Sequence, residues 1–468
     1  MMGTRSGAIL RAEQYFDTGG FVADLQRRVA IPTTSQQMDA TPALERYLKV
    51  EMSESLAKLG FNCEVLPNPH AGYGPFLIAS RVENPAKPNV LTYGHADVIL
   101  GQEGEWRTDL SPWMLVVEGD RLYGRGAADN KGQHTINIAA LECVLAERGS
   151  LGFNSTILIE TGEEVGSPGL REFCKANKQK LKADVMIGSD GPRIDRHRPS
   201  IFGGTRGGAK FNLILNLREG GHHSGNWGGL LANPGIVLAH ALATITDARG
   251  QIKVPEWRPK TLTRSVRAAL ADVHIDAGED AIEIDPDWGE ETLTPAERVF
   301  GWNSFEVLAF KTGNPDHPVN AIPPSAIAYC QLRFVVGTDP QEIVPALRRH
   351  LAKHGFGQIK VVDVGGLTMN ATRLDPDSPW STFAGASIEE TAGQRPDILP
   401  NIGGSLPNDV FTEILGMPTV WVPHSYAACN QHAPNEHMLS SVAREGLRLM
   451  AGLFWDFGAQ AWPLSEKA

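Results

Sequence analysis

The sequence predicts an α/β fold: a catalytic α/β domain on a mostly parallel central sheet, interrupted by an inserted α+β unit of ferredoxin-like order. Three observations predict it. Short apolar runs that stop abruptly at Gly or charged residues alternate with helix-period segments over the first two hundred residues, which is how buried parallel strands and their crossover helices read. The middle of the chain switches to the two-residue period of half-exposed strands. At 468 residues the chain exceeds one ordinary core, since domains run to roughly 100–200 residues. The expected boundaries are 1–199 and 373–468 for the two parts of the first domain and 200–372 for the insert.

The elements follow in order. Residues 90–95 (VLTYGH), 155–160 (STILIE) and 183–190 (ADVMIGSD) are the apolar runs. Between the first two, residues 131–147 place Ile136, Ala140 and Val144 beside Leu141 and Leu145 at helical spacing, one apolar stripe facing a core. In the insert, residues 209–219 carry Phe211, Leu213, Leu215 and Leu217 on one face, with Asn212, Asn216 and Arg218 mainly on the other. A helix is expected at 234–247, capped by Asn233 with Pro234 at its first position. Strands at about 304–312 and 325–336, a helix at about 340–354 and a strand at 358–364 complete a β-α-β-β-α-β series. Residues 250–303 are polar and rich in Trp; they are either extra structure on the insert or a sign that the strands around them are misplaced. Beyond the insert, 418–424 is strand-like, and 440–457 is a helix capped by Ser440 or Ser441.

Composition removes several function classes. The formal net charge of −11 opposes binding to a polyanion, because that affinity comes from neutralising phosphates. No apolar run approaches the roughly 20 residues a membrane-spanning helix needs, and the N-terminus lacks the apolar stretch of a secretory signal. The five cysteines, Cys63, Cys143, Cys174, Cys330 and Cys429, are scattered without a C-x-x-C pair. Together these predict reduced thiols, a cytoplasmic location, and no nucleic-acid or membrane partner. Cys429 lies near the polar clusters described next and is expected to be packing.

Ligands of open α/β sheets bind beyond the carboxyl ends of the strands, and His, Asp and Glu concentrate there. Gly94-His95-Ala96-Asp97 follows the first strand; the glycine-rich turn 124–132 contains Asp129; Glu163 and Glu164 follow the next strand; Asp190 follows another; and Asn430 to Glu436 follows the last, with His432 inside it. A single His among 14, or one Asp-Gly turn, means little, since such turns are ordinary solvated loops. Five groups at successive strand ends point to a metal site. Imidazole and carboxylate donors suit Zn, with Mn or Co as alternatives. The donors exceed one tetrahedral ion, and two ions about 3.5–4 Å apart, bridged by a carboxylate and a water, would use them all. A carboxylate that is not a ligand must then take the water's proton, and adjacent Glu163 and Glu164 suit that division, one binding metal and the other facing substrate.

With these residues in hand, the chain resembles the zinc metallopeptidase family of carnosinase-like dipeptidases, glutamate carboxypeptidase, acetylornithine deacetylase and succinyl-diaminopimelate desuccinylase. The motifs G-H-x-D, G-R-G-x-x-D-x-K-G, E-x-G-E-E-x-G-S, S-D, H-S-G-x-x-G-G, N-x-I-P, G-G-S and H-x-P-N-E occur in order between about residue 20 and about residue 460. The resemblance implies that His95 and Asp190 bind one Zn2+, Glu164 and His432 a second, and that Asp129 bridges them. It implies that Asp97 holds the other nitrogen of His95 and that Glu163 is the general base. The insert would be a lid that also forms a homodimer. From it His223, with neighbouring His222 as the alternative, would reach the partner's site; Arg333 would hold a substrate carboxylate, and Asn320 and Ser405 would touch substrate. Arg333 also reads as a solvated strand-face arginine. His424 and His437 match no motif and are expected to be structural. The first motif continues Val98-Ile99-Leu100 and the lid motif opens Gly221-His222-His223, departures that bear on specificity. The function implied is hydrolysis of a dipeptide or an N-acyl amino acid by metal-bound water activated by Glu163; the alternative is a non-peptide amidohydrolase, a deacylase or deaminase with the same metal core.

Overall fold

The computed structural model describes residues 3–37, 39–275, 283–365 and 369–459; seven residues of the 250–303 stretch and the chain's extreme ends lie outside them. The central sheet has eight strands in the order Asn62–Leu66, Phe76–Arg81, Asn154–Glu160, Asn89–His95, Val185–Gly188, Thr419–Trp421, Ser200–Phe202 and Asp397–Leu399. Its four middle strands are mutually parallel, and antiparallel strands flank them. The middle strands are mostly apolar and almost wholly buried because both sheet faces are covered. One face packs against a core that includes Ile136, Val144, Leu447 and Phe454, drawn from the helices Lys131–Arg148 and Ser440–Ala459. The other face packs around Tyr93, Phe173, Phe411 and Trp421. No described helix is long and apolar enough to cross a membrane.

Register sets the functional edge. His95 pairs with Glu160, Tyr93 with Gly188, and Gly188 with Trp421. The four carboxyl ends are therefore level, and the loops leaving them converge.

The second sheet is antiparallel, in the order Ser304–Thr312, Ser325–Phe334, Gly207–Asn216 and Lys360–Asp363. With the helices Pro234–Ile245 and Ile343–Lys353 it runs β-α-β-β-α-β along the chain. Both helices pack on one face, where Phe211, Leu213 and Leu332 meet Leu238, Ile245 and Leu347. Strand alternation then turns Lys210, Gln331 and Arg333 to the opposite face. The Asn233 side chain caps its helix, accepting from Gly235 and Ile236 N–H. The C-terminal helix departs from expectation: Ser441 N–H donates to Asp120 Oδ1 at 2.7 Å, so its N-terminal acceptor comes from a distant turn.

The 250–303 stretch divides its packing. Ile252, Val254 and Trp257 are buried in the core of the second sheet. Val266, Leu270, Ala296 and Phe300 are buried against the central sheet, on the short helices Arg264–Leu270 and Pro295–Phe300. The strands around it stand where the sequence predicts them. Its helices are only seven and six residues long, too short for a sustained period to announce them.

Candidate metal centre

Two candidate ligand sets, each able to hold a metal ion, meet at the strand ends. His95, Asp129 and Asp190 form one, Asp129, Glu164 and His432 the other, with the donor atoms of each set within 4.8 Å of one another. His95 Nε2 is 2.9 Å from Asp129 Oδ1 and 3.5 Å from Asp190 Oδ2. His432 Nε2 is 3.1 Å from Asp129 Oδ2 and 3.0 Å from Glu164 Oε2. Each oxygen of Asp129 thus faces a different set.

The donors fit divalent cations. Asp190 Oδ2 is buried without a hydrogen-bond partner, a costly state for an oxygen unless something else meets it. Four carboxylates, Asp129, Glu163, Glu164 and Asp190, crowd against two imidazoles, an excess of buried negative charge that cations neutralise. Burial and the charge on Asp129 push Glu164 up to about 7 and Asp190 up to about 6. Burial, together with Asp190, Glu164 and Asp129, holds Glu163 well above the usual carboxylate range, while His95 draws it down. Hydrogen bonds to Asp129 and Glu164 raise His432 to about 11.

Local structure fixes each ligand. Asp129 sits in a glycine-rich turn clamped by Glu436: its Oε1 accepts from the N–H groups of Gly126, Ala128 and Asp129 at 3.0–3.1 Å, and its Oε2 from Arg125 at 2.8 Å. Gly132 lets the following helix start against this turn, since a Cβ there would lie 2.0 Å from the Ala127 carbonyl oxygen. Sequence reasoning missed the role of Glu436, although the motif containing it was visible. His432 has φ of +60°, between Asn430 at +56° and Asn435 at +63°. Asn tolerates that region; for His it costs roughly 1–2 kcal/mol. The loop is held by Asn435 Oδ1, which accepts from Arg107 N–H at 2.8 Å, and by Gly124 N–H donating to the Glu436 carbonyl at 3.0 Å.

Asp97 meets His95 Nδ1 mainly through its backbone carbonyl, at 3.0 Å, with a carboxylate oxygen at 3.5 Å. Its carboxylate also accepts from the N–H groups of Glu163 and Glu164, both at 3.1 Å, and from Ser35 Oγ at 2.7 Å. One residue therefore orients a ligand and the turn bearing two more carboxylates.

Two cavities meet here, sharing Glu163, Ser405 and His432. The smaller, about 430 Å³, is lined by Arg333 and Lys210. Arg333 Nη1 donates to Ser405 Oγ, which donates to the Arg206 carbonyl, both at 2.7 Å. Among the described residues no carboxylate pairs with Arg333 or Lys210, and burial lowers the Arg333 guanidinium. The larger cavity, about 730 Å³, runs past Asp190 into apolar side chains. His223 and Asn320 line neither. His223 is exposed on the short strand His222–His223, and its Nδ1 accepts from Gly225 N–H; the Asn320 carbonyl accepts from Ser224 N–H. Cys429 packs with Ala128, Tyr426 and Leu439. His424 is fully buried, and His437 accepts or donates to Tyr426 OH at 2.7 Å.

Comparison with known proteins agrees with this geometry. The model for peptidase family M20/M25/M40 matches residues 91–456. The Beta-Ala-His dipeptidase of Rattus norvegicus is 27% identical over 96% of this chain and 95% of its own length. The Cys-Gly metallodipeptidase dug1 of Schizosaccharomyces pombe is 25% identical over 92% of this chain and 94% of its own. The crystal structure of human carnosine dipeptidase 1 superposes with a TM-score of 0.76 at 26% identity, covering 97% of this chain and 99% of that one. The chain belongs to peptidase family M20/M25/M40 and is a metal-dependent hydrolase of C–N bonds.

Proposed function

We propose that this member of the M20/M25/M40 peptidases hydrolyses dipeptides or N-acyl amino acids with two zinc ions per chain, His95 and Asp190 holding one, Glu164 and His432 the other, and Asp129 both. The observation that carries the reading is the pair of ligand sets sharing Asp129 beside a carboxylate, Glu163, that belongs to neither. Such cations, when bound, polarise the scissile carbonyl and acidify an attacking water. Glu163 takes that water's proton and returns it to the departing nitrogen. Asp97 keeps His95 and the Glu163–Glu164 turn in place. Arg333, without a carboxylate partner of its own and braced by Ser405, binds the substrate's terminal carboxylate.

A homodimer is part of the reading. It is supported by the edge strand Ser304–Thr312, where Val307, Leu308 and Phe310 are exposed, an unpaired apolar edge that a second copy would cover. His223 is exposed and lines neither of its own chain's two cavities, as a residue serving the partner's site would. Mixing an inactive His223→Ala chain with an inactive Glu163→Ala chain then restores part of the activity; no recovery after confirmed subunit exchange rejects the shared site. A cytoplasmic location is supported by five cysteines that are all free thiols.

The deciding experiment compares dipeptides, N-acetyl amino acids and aryl amides on the zinc-loaded protein before and after chelator dialysis. Turnover of the first or second class that is lost with the metal and regained on zinc addition is expected. Turnover of aryl amides alone overturns the reading.

A further inference from the structure

The larger cavity has a character that the metal chemistry does not require. Beyond Asp129, Glu163 and Asp190 it is walled by Ile194, Ile275, Ile284, Phe300, Ile402 and Leu406. Three of these, Ile275, Ile284 and Phe300, come from the 250–303 stretch that no motif covers. Outside the cluster its one charged group among the described residues is Arg193, which is fully buried, paired with Glu445 and donating to the Pro423 carbonyl. Only its Nη2 is left unpartnered, one donor suited to a neutral oxygen. Among the described residues no carboxylate stands in the wall beyond the cluster.

The two cavities adjoin at Glu163, Ser405 and His432, one also lined by Arg333 and Lys210 and the other by Asp190 and apolar side chains. With a substrate carboxylate held on the Arg333 and Lys210 side, a scissile bond over Glu163 leaves the acyl half of the substrate only the apolar chamber to enter. A volume of about 730 Å³ is far more than a methyl or an unsubstituted glycine fills.

We propose that this chamber selects a large apolar acyl half, either a leucine- or phenylalanine-sized N-terminal side chain or a medium-length fatty acyl group, and that Ile275, Ile284 and Phe300 set the preference. The inference rests on the hydrolase reading above for its orientation of substrate. It adds that selectivity lies on the acyl side, in a segment outside the metal motifs.

The test keeps the carboxyl half constant as glycine, so that contacts with Arg333 and Lys210 cancel. On the zinc-loaded enzyme, kcat/KM is measured for N-acetyl-, N-hexanoyl- and N-succinyl-glycine and for Ala-Gly, Leu-Gly and Asp-Gly. Hexanoyl over acetyl by on the order of 10²-fold, and Leu over Ala by roughly tenfold, are expected from the methylenes newly buried. Succinyl and Asp substrates should be the poorest, since a second carboxylate meets only walls and an already paired Arg193. Ile284→Asp, half-exposed and so harmless to folding, and the milder Phe300→Leu should each narrow the hexanoyl-to-acetyl ratio several-fold. Equal rates for acetyl and hexanoyl substrates, a preference for the succinyl one, or a ratio untouched by Ile284→Asp overturns the proposal and leaves the hydrolase reading standing. Calorimetric binding of the same acyl-glycines to zinc-loaded Glu163→Gln protein gives a readout independent of turnover. If no acyl-glycine or dipeptide is hydrolysed, the hydrolase reading fails, while tighter binding of hexanoyl- than acetyl-glycine still upholds the chamber and equal binding rejects it.

Discussion

The metal cluster and the apolar chamber adjoin each other, share Glu163, and are built on opposite principles. In the cluster every side chain is polar, positioned by hydrogen bonds of 2.7–3.1 Å such as those of Asp97 and Glu436, and located within a few residues of a strand end. In the chamber the side chains are ordinary aliphatics placed by packing, and three of them arrive from a segment anchored in two different cores. Chemistry here is local and discrete; selectivity is distributed and tolerant. Substitutions in the first region should change rate or metal content without changing preference, and those in the second should do the reverse.

The largest departure from that contrast would come at Glu163. Glu163→Ala is expected to retain both cations by elemental analysis and to lose roughly 10²-fold or more in kcat, equally for small and large acyl groups. A metal-replete variant with wild-type turnover removes Glu163 from the proton transfers. Next is Glu436→Ala, which leaves Arg125 and the Gly126, Ala128 and Asp129 N–H groups buried without their acceptor. Breaking such a buried pair costs about 3–5 kcal/mol, read as a lower denaturant midpoint in the apoprotein. An unchanged midpoint would show that solvent or a neighbour replaces the carboxylate. The smallest effect is expected at Arg333→Ala, where loss of a charged hydrogen bond to the substrate carboxylate, about 1.5–3 kcal/mol, should raise KM at least tenfold for every acyl group alike. A KM change confined to large acyl groups would mean that the two cavities have been assigned to the wrong halves of the substrate.

The same contrast explains what could be read in advance. The parallel sheet and the clustering of His95, Asp129, Glu164, Asp190 and His432 were legible, because strand-end His, Asp and Glu in glycine-flanked turns stand out and their order along the chain is set by topology. The β-α-β-β-α-β order was legible because Phe211, Leu213 and Leu215 alternate cleanly and Asn233-Pro234 marks a helix start. Glu436 was seen only as the end of a motif, since a carboxylate whose partners are backbone N–H groups more than 300 residues away carries no local signature. The cap, expected at Ser440 or Ser441, was misplaced for the same reason: the acceptor for Ser441 N–H belongs to Asp120. The chamber was invisible, because Ile275, Ile284 and Phe300 obey neither a helical nor a strand period, and their meaning lies wholly in what the fold brings opposite them.

Asp129 has a consequence of its own. Because each of its oxygens faces a different ligand set, five side chains fill six ligand positions. On the proposed assignment the two sites cannot drift apart by substitution at that residue: a change that ruins one ruins the other, and a chain that keeps either must keep the carboxylate both depend on. In genetic terms position 129 is a shared vulnerability, the place where one altered codon disables both halves of the centre at once.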